Sequence, residues 1–342
     1  MTSEQDFRIP YPQLVEALST AMQAHGLAPE LADIEAQIMA EADLHGVPSH
    51  GVRMLPALLR GFDEGRAHAR PELRWERDFG AICVLDGDNG PGRYVALTAM
   101  QAAVERASRF GVGVCLAKRT THWGRAHAYA LRAAQAGCIG LCTTNAIQTM
   151  AAWGARGAVI GNNPIAIGVP RAAGLAPVVL DLAMSQAAVG KVTTWLREGR
   201  SLPEGWGVDA EGKPSTDARA ILSGAVSPMG GHKGAGLALM MEFLTAALGG
   251  GLFCSEMRAT KGLETDASKL FLAFNIEAFG APDFHAEVER YLDYLRTEAS
   301  FREAFLFPGE RGWQDCARNE ALGVPLHAEI VDQLRQAGVV LD

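Results

Sequence analysis

Hydrophobic residues recur at helical spacing through the first 65 residues of the chain. One segment carries leucine or methionine at positions 14, 18 and 22 and ends at Gly26, and the next repeats the spacing at positions 31, 34 and 38 and ends at Gly46. Residues three and four positions apart share one face of a helix, and glycine is typical just past a helix end. The pattern therefore predicts two amphipathic helices, and then a third from near Pro56 to Gly65.

From Ala81 onwards, short apolar runs replace the helical spacing. The runs are AICVLDGD, VGVCLAKR, CIGLCTTN and APVVLDLA, and the helical segments among them include YVALTAMQAAVERASRFG and GRAHAYALRAAQAG. Short runs rich in aliphatic and β-branched residues, bounded by turn residues, are typical of strands. The middle of the chain is therefore predicted to form a sheet with covering helices.

The last third of the chain returns to helix. KGAGLALMMEFLTAALGGG is apolar nearly all round, which predicts a buried helix. KLFLAFNIEAF is one more strand candidate, and helical spacing follows in FHAEVERYLDYLRTEA and around HAEIVDQLRQAG. We predict an α/β (α+β) fold with a central mixed sheet, covering helices and a helical part built from both chain ends. The predicted parts are residues 1–75, 76–268 and 269–342.

The composition argues against several classes of protein. The chain is 48% hydrophobic and 20% charged, with a net charge of −8 and a pI near 5.6, whereas binding to nucleic acid requires clustered lysine and arginine. No apolar run reaches the roughly 18 residues of a membrane span, and the N-terminus resembles no secretion signal. The six cysteines lack CxxC pairs and are expected to be buried thiols. We expect a cytoplasmic protein without a nucleic-acid or membrane partner.

The stretch LHGVPSHG, residues 44–51, suggests three kinds of chemistry. A metal site is disfavoured, because His45 and His50 are five positions apart, which places them on different faces of a helix, and no HExxH or CxxC pattern supports them. A hydrolase nucleophile at Ser49 is disfavoured, because Val47 replaces the first glycine of the G-x-S-x-G turn. The third possibility is proton transfer by His50, since histidine titrates near neutrality. The motif alone does not separate this function from a helix-capping Ser49 beside an incidental histidine.

No segment matches a standard dinucleotide-binding loop. GVGVCL, residues 111–116, precedes a strand instead of following one, and VGKVTT has Ser185 in place of the first P-loop glycine. PMGGHKGAG, residues 228–236, is a better candidate, because its glycines allow close backbone approach, Lys233 adds a charge and a helix follows. A glycine-rich turn with a solvated lysine explains this segment equally well. Any bound nucleotide would thus need a non-Rossmann scaffold.

Asp181 is a further candidate for the chemistry. It ends the strand predicted in VVLDLAMS, where a buried carboxylate is costly unless it is paired. A partner is therefore expected, and histidine is a suitable one.

Seven motifs in fixed order extend over essentially the whole chain. They are DLHGVPSHG at 43–51, THWG at 121–124, GNNP at 161–164, VLDLAMSQAAVGK at 179–191, LPEGWGVDAEGKPSTD at 202–217, PMGGHKGAG at 228–236 and FPGERG at 307–312. In these motifs the chain resembles the malate/L-lactate dehydrogenase family that is unrelated to the Rossmann-type enzymes. That family also includes sulfolactate and ureidoglycolate dehydrogenases, 2,3-diketogulonate reductase, and piperideine- and pyrroline-2-carboxylate reductases.

The resemblance implies a non-Rossmann fold, a homodimer, and an oxidoreductase that uses NAD or NADP, with the reduced form as hydride donor. The implied substrate is a small 2-oxo acid or cyclic 2-imino acid, and residues 76–268 would bind the cofactor. A sugar-acid or ureidoglycolate dehydrogenase, or a non-catalytic ligand-binding relative, is the alternative.

The resemblance also implies roles for individual residues. The proton donor falls on His50 and its relay partners on Ser49 and Asp181, and Asp181 is expected to favour the protonated imidazole. Apart from the resemblance, we predict that Arg53 and His122 contact the substrate, and we predict no metal ligand. The implied cofactor contacts are Pro177, Val178, Val179, Leu180, Asp181, Leu182, Ala183, His232, Lys233, Gly309, Glu310 and Arg311.

One position departs from the family pattern. An arginine commonly stands four residues after the donor histidine, where its two-pronged geometry suits a carboxylate, but this chain has Met54 there and Arg53 one position earlier. Arg53 is therefore predicted to bind the substrate carboxylate, with Lys118, Arg119 or Arg125 around the THWG turn as alternatives. The sequence does not select among the family's substrates or between NADH and NADPH.

Overall fold

A computed structural model describes residues 6–260, 262–298 and 305–341 of the chain. The helices are α1 Tyr11–Ala24, α2 Pro29–Leu44, α3 Leu55–Asp63, α4 Gly92–Phe110, α5 His127–Gln135, α6 Val189–Arg197, α7 Ala218–Ser223, α8 His232–Glu242, α9 Phe284–Glu298, α10 Glu310–Leu322 and α11 Ala328–Gln336. The strands are β1 Asp6–Ile9, β2 Arg74–Phe79, β3 Ile82–Gly90, β4 Val112–Thr120, β5 Cys138–Thr144, β6 Gln148–Ala151, β7 Ala158–Gly161, β8 Ile165–Val169, β9 Val178–Leu182, β10 Gly207–Val208, β11 Pro214–Ser215, β12 Ala225–Val226, β13 Ala259–Thr260, β14 Leu263–Glu264, β15 Ala267–Asn275 and β16 Val324–His327.

A seven-stranded mixed sheet forms the centre of the fold, in the order β2-β3-β4-β15-β5-β8-β9. Neighbouring strands pair antiparallel except β3 and β4, which are parallel and connected by α4. Strand β15 comes late in the chain but lies between β4 and β5 and pairs with both. The prediction of an α/β fold with a central mixed sheet is confirmed.

Glycines let two helices pack directly on this sheet. A Cβ atom at Gly113 of β4 would overlap the carbonyl oxygen of Ala103 in α4, and one at Gly168 of β8 would overlap that of Ala130 in α5. The helix backbones therefore approach the strands more closely than larger residues would permit. This packing fixes the N-terminus of α5, which directly follows the THWG turn.

Both chain ends contribute to a helical part with its own apolar core. Strands β1 and β16 pair antiparallel, with Ile9 opposite Val324. Helices α1, α2, α3 and α11 share one cluster of buried residues, to which Leu14, Leu55 and Val331 belong. The turns after α2 are thereby anchored in this core.

A second sheet, in the order β11-β10-β12-β6-β7, supports the glycine-rich segment at 228–236. Strands β12 and β6 are parallel there, and Met150, Val226 and Ala238 contribute to a third apolar cluster. In the ranges that the structure describes, no helix has the length and apolar character needed to cross a membrane.

Helix α8 differs from the prediction of a fully buried helix. Its inner face is buried, but Leu237, Met240, Phe243 and Leu248 on α8 and the π-helical turn that continues it are 44% to 63% exposed. The prediction was wrong because an all-round apolar pattern does not specify what covers each face. One apolar face of this segment therefore lies on the surface of the protomer.

Candidate active site

One cavity brings together the predicted substrate-side residues. Its volume is about 1260 Å³, and its walls include the turns after α2, the THWG turn, the end of β9 and the start of α6. Ser49, His50, Arg53, His122 and Asp181 all line it. The volume exceeds the roughly 300–1,000 Å³ of typical small-ligand pockets. A nicotinamide ring and a small acid therefore have room together.

A buried carboxylate holds the turn that carries His50. Asp43, near the end of α2, accepts a hydrogen bond from the backbone N–H of Val52 (2.7 Å). A Cβ atom at Gly51 would overlap this carboxylate. Burial raises the pKa of Asp43 to about 7, against the opposing effect of the Val52 hydrogen bond. The structure thus explains the presence of Asp43 and Gly51, the first and last residues of DLHGVPSHG.

His50 is in contact with a hydroxyl group and a second imidazole. Its Nδ1 lies 2.8 Å from Ser49 Oγ, and its ring stacks on that of His122 with centroids 5.9 Å apart. Burial lowers the pKa of His50, Asp181 opposes this effect, and Arg125 with two further arginines lowers the pKa again. Asp181 thus acts in the expected direction but is outweighed. The surroundings thus lower the pKa of the imidazole. The neutral ring is favoured, and the protonated ring is a stronger acid than an ordinary imidazolium.

Asp181 is paired, but its hydrogen-bond partner differs from the one expected. Its Oδ2 accepts hydrogen bonds from Arg125 Nε (3.1 Å) and from the backbone N–H of His127 (3.2 Å). The expectation of a histidine side chain was wrong, because the loop after the THWG turn carries Arg125 to this carboxylate. Asp181 therefore acts on His50 through its charge, and Arg125 is partly neutralised.

Arg53 is the arginine best placed to bind a carboxylate. Its Nη1 reaches the start of α6, 3.9 Å from where a Cβ of Gly190 would lie. Among the described residues no carboxylate forms an ion pair with Arg53, whereas Arg125 pairs with Asp181. Lys118 instead pairs with Glu76 (2.7 Å). Arg119 likewise pairs with Asp86 and Asp88 in the second half of β3. The charges of Lys118 and Arg119, two of the alternative candidates for binding the substrate carboxylate, are thereby neutralised.

Two of the predicted cofactor segments lie side by side. The backbone N–H of Val179 in β9 donates to the carbonyl of Pro308 (3.0 Å), and Gly309 has a φ of +91°, with its Cα packed against Val179. The indole of Trp313 donates to the carbonyl of Pro177 (3.0 Å). The predicted residues that line the cavity itself are Asp181, Leu182 and Ala183.

The third cofactor segment lies at the N-terminus of α8. It is tied to the chain after β9 by a hydrogen bond from the Met229 N–H to the Met184 carbonyl (2.8 Å). Gly231 has a φ of +64°, and its Cβ would lie 2.6 Å from the ring of Trp153, which is 69% exposed. His232 and Lys233 follow at the surface and are outside the cavity wall formed by the described residues. The structure therefore does not bring them directly to His50.

Sequence reasoning missed Lys269, which forms part of the cavity wall. Its buried amine donates to Thr120 Oγ1 and to the Thr121 carbonyl (3.1 Å). Burial lowers the pKa of Lys269 to about 7, with Glu264 opposing. Burial also lowers the pKa of His122 well below its usual value, and positive neighbours including Lys269 reinforce this effect. A lysine inside the apolar run KLFLAF was the signal that could have identified this residue.

Comparisons with known proteins cover almost the whole chain. A model of the malate/L-lactate dehydrogenase family matches residues 9–335. The malate dehydrogenase of Pyrococcus horikoshii is 30% identical, over 97% of this chain and 95% of that protein. The Δ1-pyrroline-2-carboxylate/Δ1-piperideine-2-carboxylate reductase of Pseudomonas syringae is 33% identical, over 96% and 95%. The structure of sulfolactate dehydrogenase from Methanocaldococcus jannaschii superposes with a TM-score of 0.90 at 30% identity, covering 97% of this chain and 96% of that one.

Proposed function

The chain belongs to the malate/L-lactate dehydrogenase family, and from this premise we propose that it uses NADH or NADPH to reduce a small 2-oxo acid or cyclic 2-imino acid. Its relatives are dehydrogenases and reductases, so it is an oxidoreductase. The observation that carries the proposal is the cavity that joins Ser49, His50, Asp181 and Arg53.

His50 is the proposed proton donor. Since Nδ1 faces Ser49 Oγ, Nε2 is left to face the substrate, and the reduced carbonyl oxygen or imine nitrogen must gain a proton. The arginines around the cavity make the protonated ring a stronger acid. A carboxylate substrate would add negative charge and favour protonation of His50 before reaction. Ser49 would hold the imidazole orientation or relay a proton.

Arg53 and His122 are the proposed substrate contacts. The guanidinium of Arg53 lines the cavity and can donate two parallel hydrogen bonds to a carboxylate. His122 stacks on His50 and has a pKa well below its usual value because of burial. A neutral His122 can therefore hydrogen-bond the substrate without competing as the acid.

The residues of this chain are suited to a nicotinamide cofactor. When bound, the reduced nicotinamide supplies the hydride. The Gly309 backbone packs closely on β9, and Gly231 has a positive φ beside the exposed Trp153, so a Cβ at either position would meet the protein itself and glycine keeps both segments in these conformations. Gly309, Glu310 and Arg311, with residues 177–183, would hold one part of the cofactor, and His232 with Lys233 another. Lys233 offers a positive charge to a phosphate.

We also propose a homodimer in which the exposed face of α8 is buried. Apolar residues such as Met240 and Leu248 are unusual in such numbers on a monomer surface. Analytical ultracentrifugation of the wild type should give the mass of a dimer. The double variant Met240→Glu/Leu248→Glu should give the mass of a monomer. A monomeric wild type would contradict this part of the proposal.

The function is tested with a substrate panel and both reduced cofactors. Nicotinamide fluorescence measures binding, and nicotinamide absorbance measures turnover with 2-oxo acids, cyclic imines and sugar acids. We expect oxidation of at least one cofactor by a 2-oxo acid or a cyclic imine. If neither cofactor binds, the proposed function is wrong, and turnover with sugar acids alone would favour the alternative reductase.

A further inference from the structure

Arg93 lies between the two turns that carry the histidines of the cavity. It is the second residue of α4 and is 2% exposed. On one side its Nη2 donates to the carbonyl of His50 (3.4 Å) and contacts Met54 Sδ (3.8 Å). On the other side it packs on Gly124 of the THWG turn, where a Cβ would lie 2.8 Å from Nε. One buried side chain therefore contacts both turns.

Glu35 of α2 holds Arg93 in this position. Its Oε1 accepts hydrogen bonds from the backbone N–H groups of Arg93 (2.6 Å) and Tyr94 (2.9 Å), and its Oε2 accepts one from Arg93 Nη1 (3.2 Å). Glu35 is completely buried. A buried ion pair with this many hydrogen bonds gives a defined geometry, and removal of one partner leaves an uncompensated charge.

The backbone before Arg93 contacts the same turn as its side chain. A Cβ atom at Gly92 would overlap the carbonyl oxygens of Thr121 and His122. The start of α4 is thus in contact with the THWG turn through its main chain and with the His50 turn through its guanidinium. A displacement of Arg93 would change the separation of His50 and His122.

We propose that Arg93, fixed by Glu35, is a positioning residue that sets the separation of the His50 and His122 imidazoles and places a positive charge beside both. The inference rests on the proposed role of His50 as proton donor, because only then does this geometry govern turnover. The other charged groups that act on the pair are Arg53, Arg125, Asp181 and Lys269. Arg93 is the arginine that acts on both rings.

The test compares Arg93→Met with Arg93→Lys. NMR titration reports the two imidazoles directly, and the pH profile of kcat/KM reports turnover. Arg93→Met removes a positive neighbour, so the pKa of His50 should rise by about 0.5 to 1 unit and the alkaline decline of kcat/KM should move upward with it. Its kcat/KM should fall about tenfold or more, because the rings are misplaced. Arg93→Lys keeps the positive charge but loses the planar guanidinium with its several N–H donors. The pKa values of His50 and His122 should therefore stay unchanged while kcat/KM falls.

Arg132→Met is the matched control, because Arg132 pairs with Glu41 of the same helix α2 (2.6 Å). It should destabilise the fold without moving either titration. Unchanged titrations in Arg93→Met, or a kcat/KM equal to that of the control, would overturn the inference. If Arg93→Met does not fold, wild-type kcat/KM in Arg93→Lys would overturn it instead. Failure of the wild type to oxidise either reduced nicotinamide would defeat the proposed function, while the titrations still decide the effect of Arg93 on the two rings.

Discussion

The proposed substrate side and the proposed cofactor side of the site are held in different ways. His50 and His122 lie on short turns that are fixed by buried charged groups, namely Asp43 below one turn and Arg93 between the two. Lys233 lies at the surface in the first turn of α8, after a glycine-rich turn whose Gly231 packs beside the exposed indole of Trp153. The difference teaches that the proposed proton donor has a fixed position and a lowered pKa, whereas the proposed cofactor contacts are backbone and surface groups.

The largest effect is expected from His50→Ala, which removes the proposed proton donor from the proposed substrate side alone. We expect kcat to fall on the order of 10² to 10⁴. The Kd for NADH or NADPH should change little, because the proposed cofactor segments are elsewhere. Steady-state kinetics and nicotinamide fluorescence measure the two quantities. Wild-type turnover in the variant would remove His50 from the mechanism.

A pair of glycine substitutions compares the two sides directly. Gly51→Ala forces a methyl group into the Asp43 carboxylate, so we expect a loss of about 1 to 3 kcal/mol in unfolding free energy and a lower kcat. Gly231→Ala has a positive φ and would crowd Trp153, so it should weaken cofactor binding with kcat largely retained. Gly157→Ala, with open space where its Cβ would lie, is the control and should change neither. Similar effects of Gly51→Ala and Gly231→Ala would contradict the comparison.

Arg53→Ala should act on substrate binding alone. We expect KM for the acid to rise about 10- to 100-fold, as for loss of a charged hydrogen-bond pair, with cofactor affinity retained. Arg197→Ala, which breaks an exposed ion pair with Glu329, should leave KM unchanged. An unchanged KM in Arg53→Ala would move the carboxylate contact to Arg125.

The last prediction concerns the free energy of unfolding and not turnover, because Lys269 buries an ionisable amine at the cavity wall. Since the pKa of Lys269 is about 7 in the folded chain and 10.5 for an ordinary lysine, the unfolded chain binds more protons between these values. The free energy of unfolding should therefore rise with pH above 7, by about 1 kcal/mol for each pH unit. Denaturant unfolding of the wild type and of Lys269→Met measures it. The same slope in both proteins would contradict the assignment.

The elements of the sheet could be predicted because they depend on local spacing. KLFLAFNIEAF was predicted as a strand and is β15, although nothing local indicates that it pairs between β4 and β5. Contacts between distant residues could not be predicted. The pairing of Asp181 with Arg125, the position of Arg93 and the exposed face of α8 all depend on which segments meet in space. The family motifs identified the cavity residues. The charged groups that shift the pKa values of these residues could be identified only from the structure.

The central claim is that His50 delivers the proton. The most direct test measures single-turnover oxidation of the reduced nicotinamide as a function of pH, in the wild type and in His50→Ala. Because burial and arginines lower the pKa of His50 below 6.5 in the free protein, the wild-type rate at subsaturating substrate should decline as pH rises through that lowered value. His50→Ala should be slow and lack this decline. A His50→Ala rate that equals the wild-type rate, with the same pH dependence, would contradict the account.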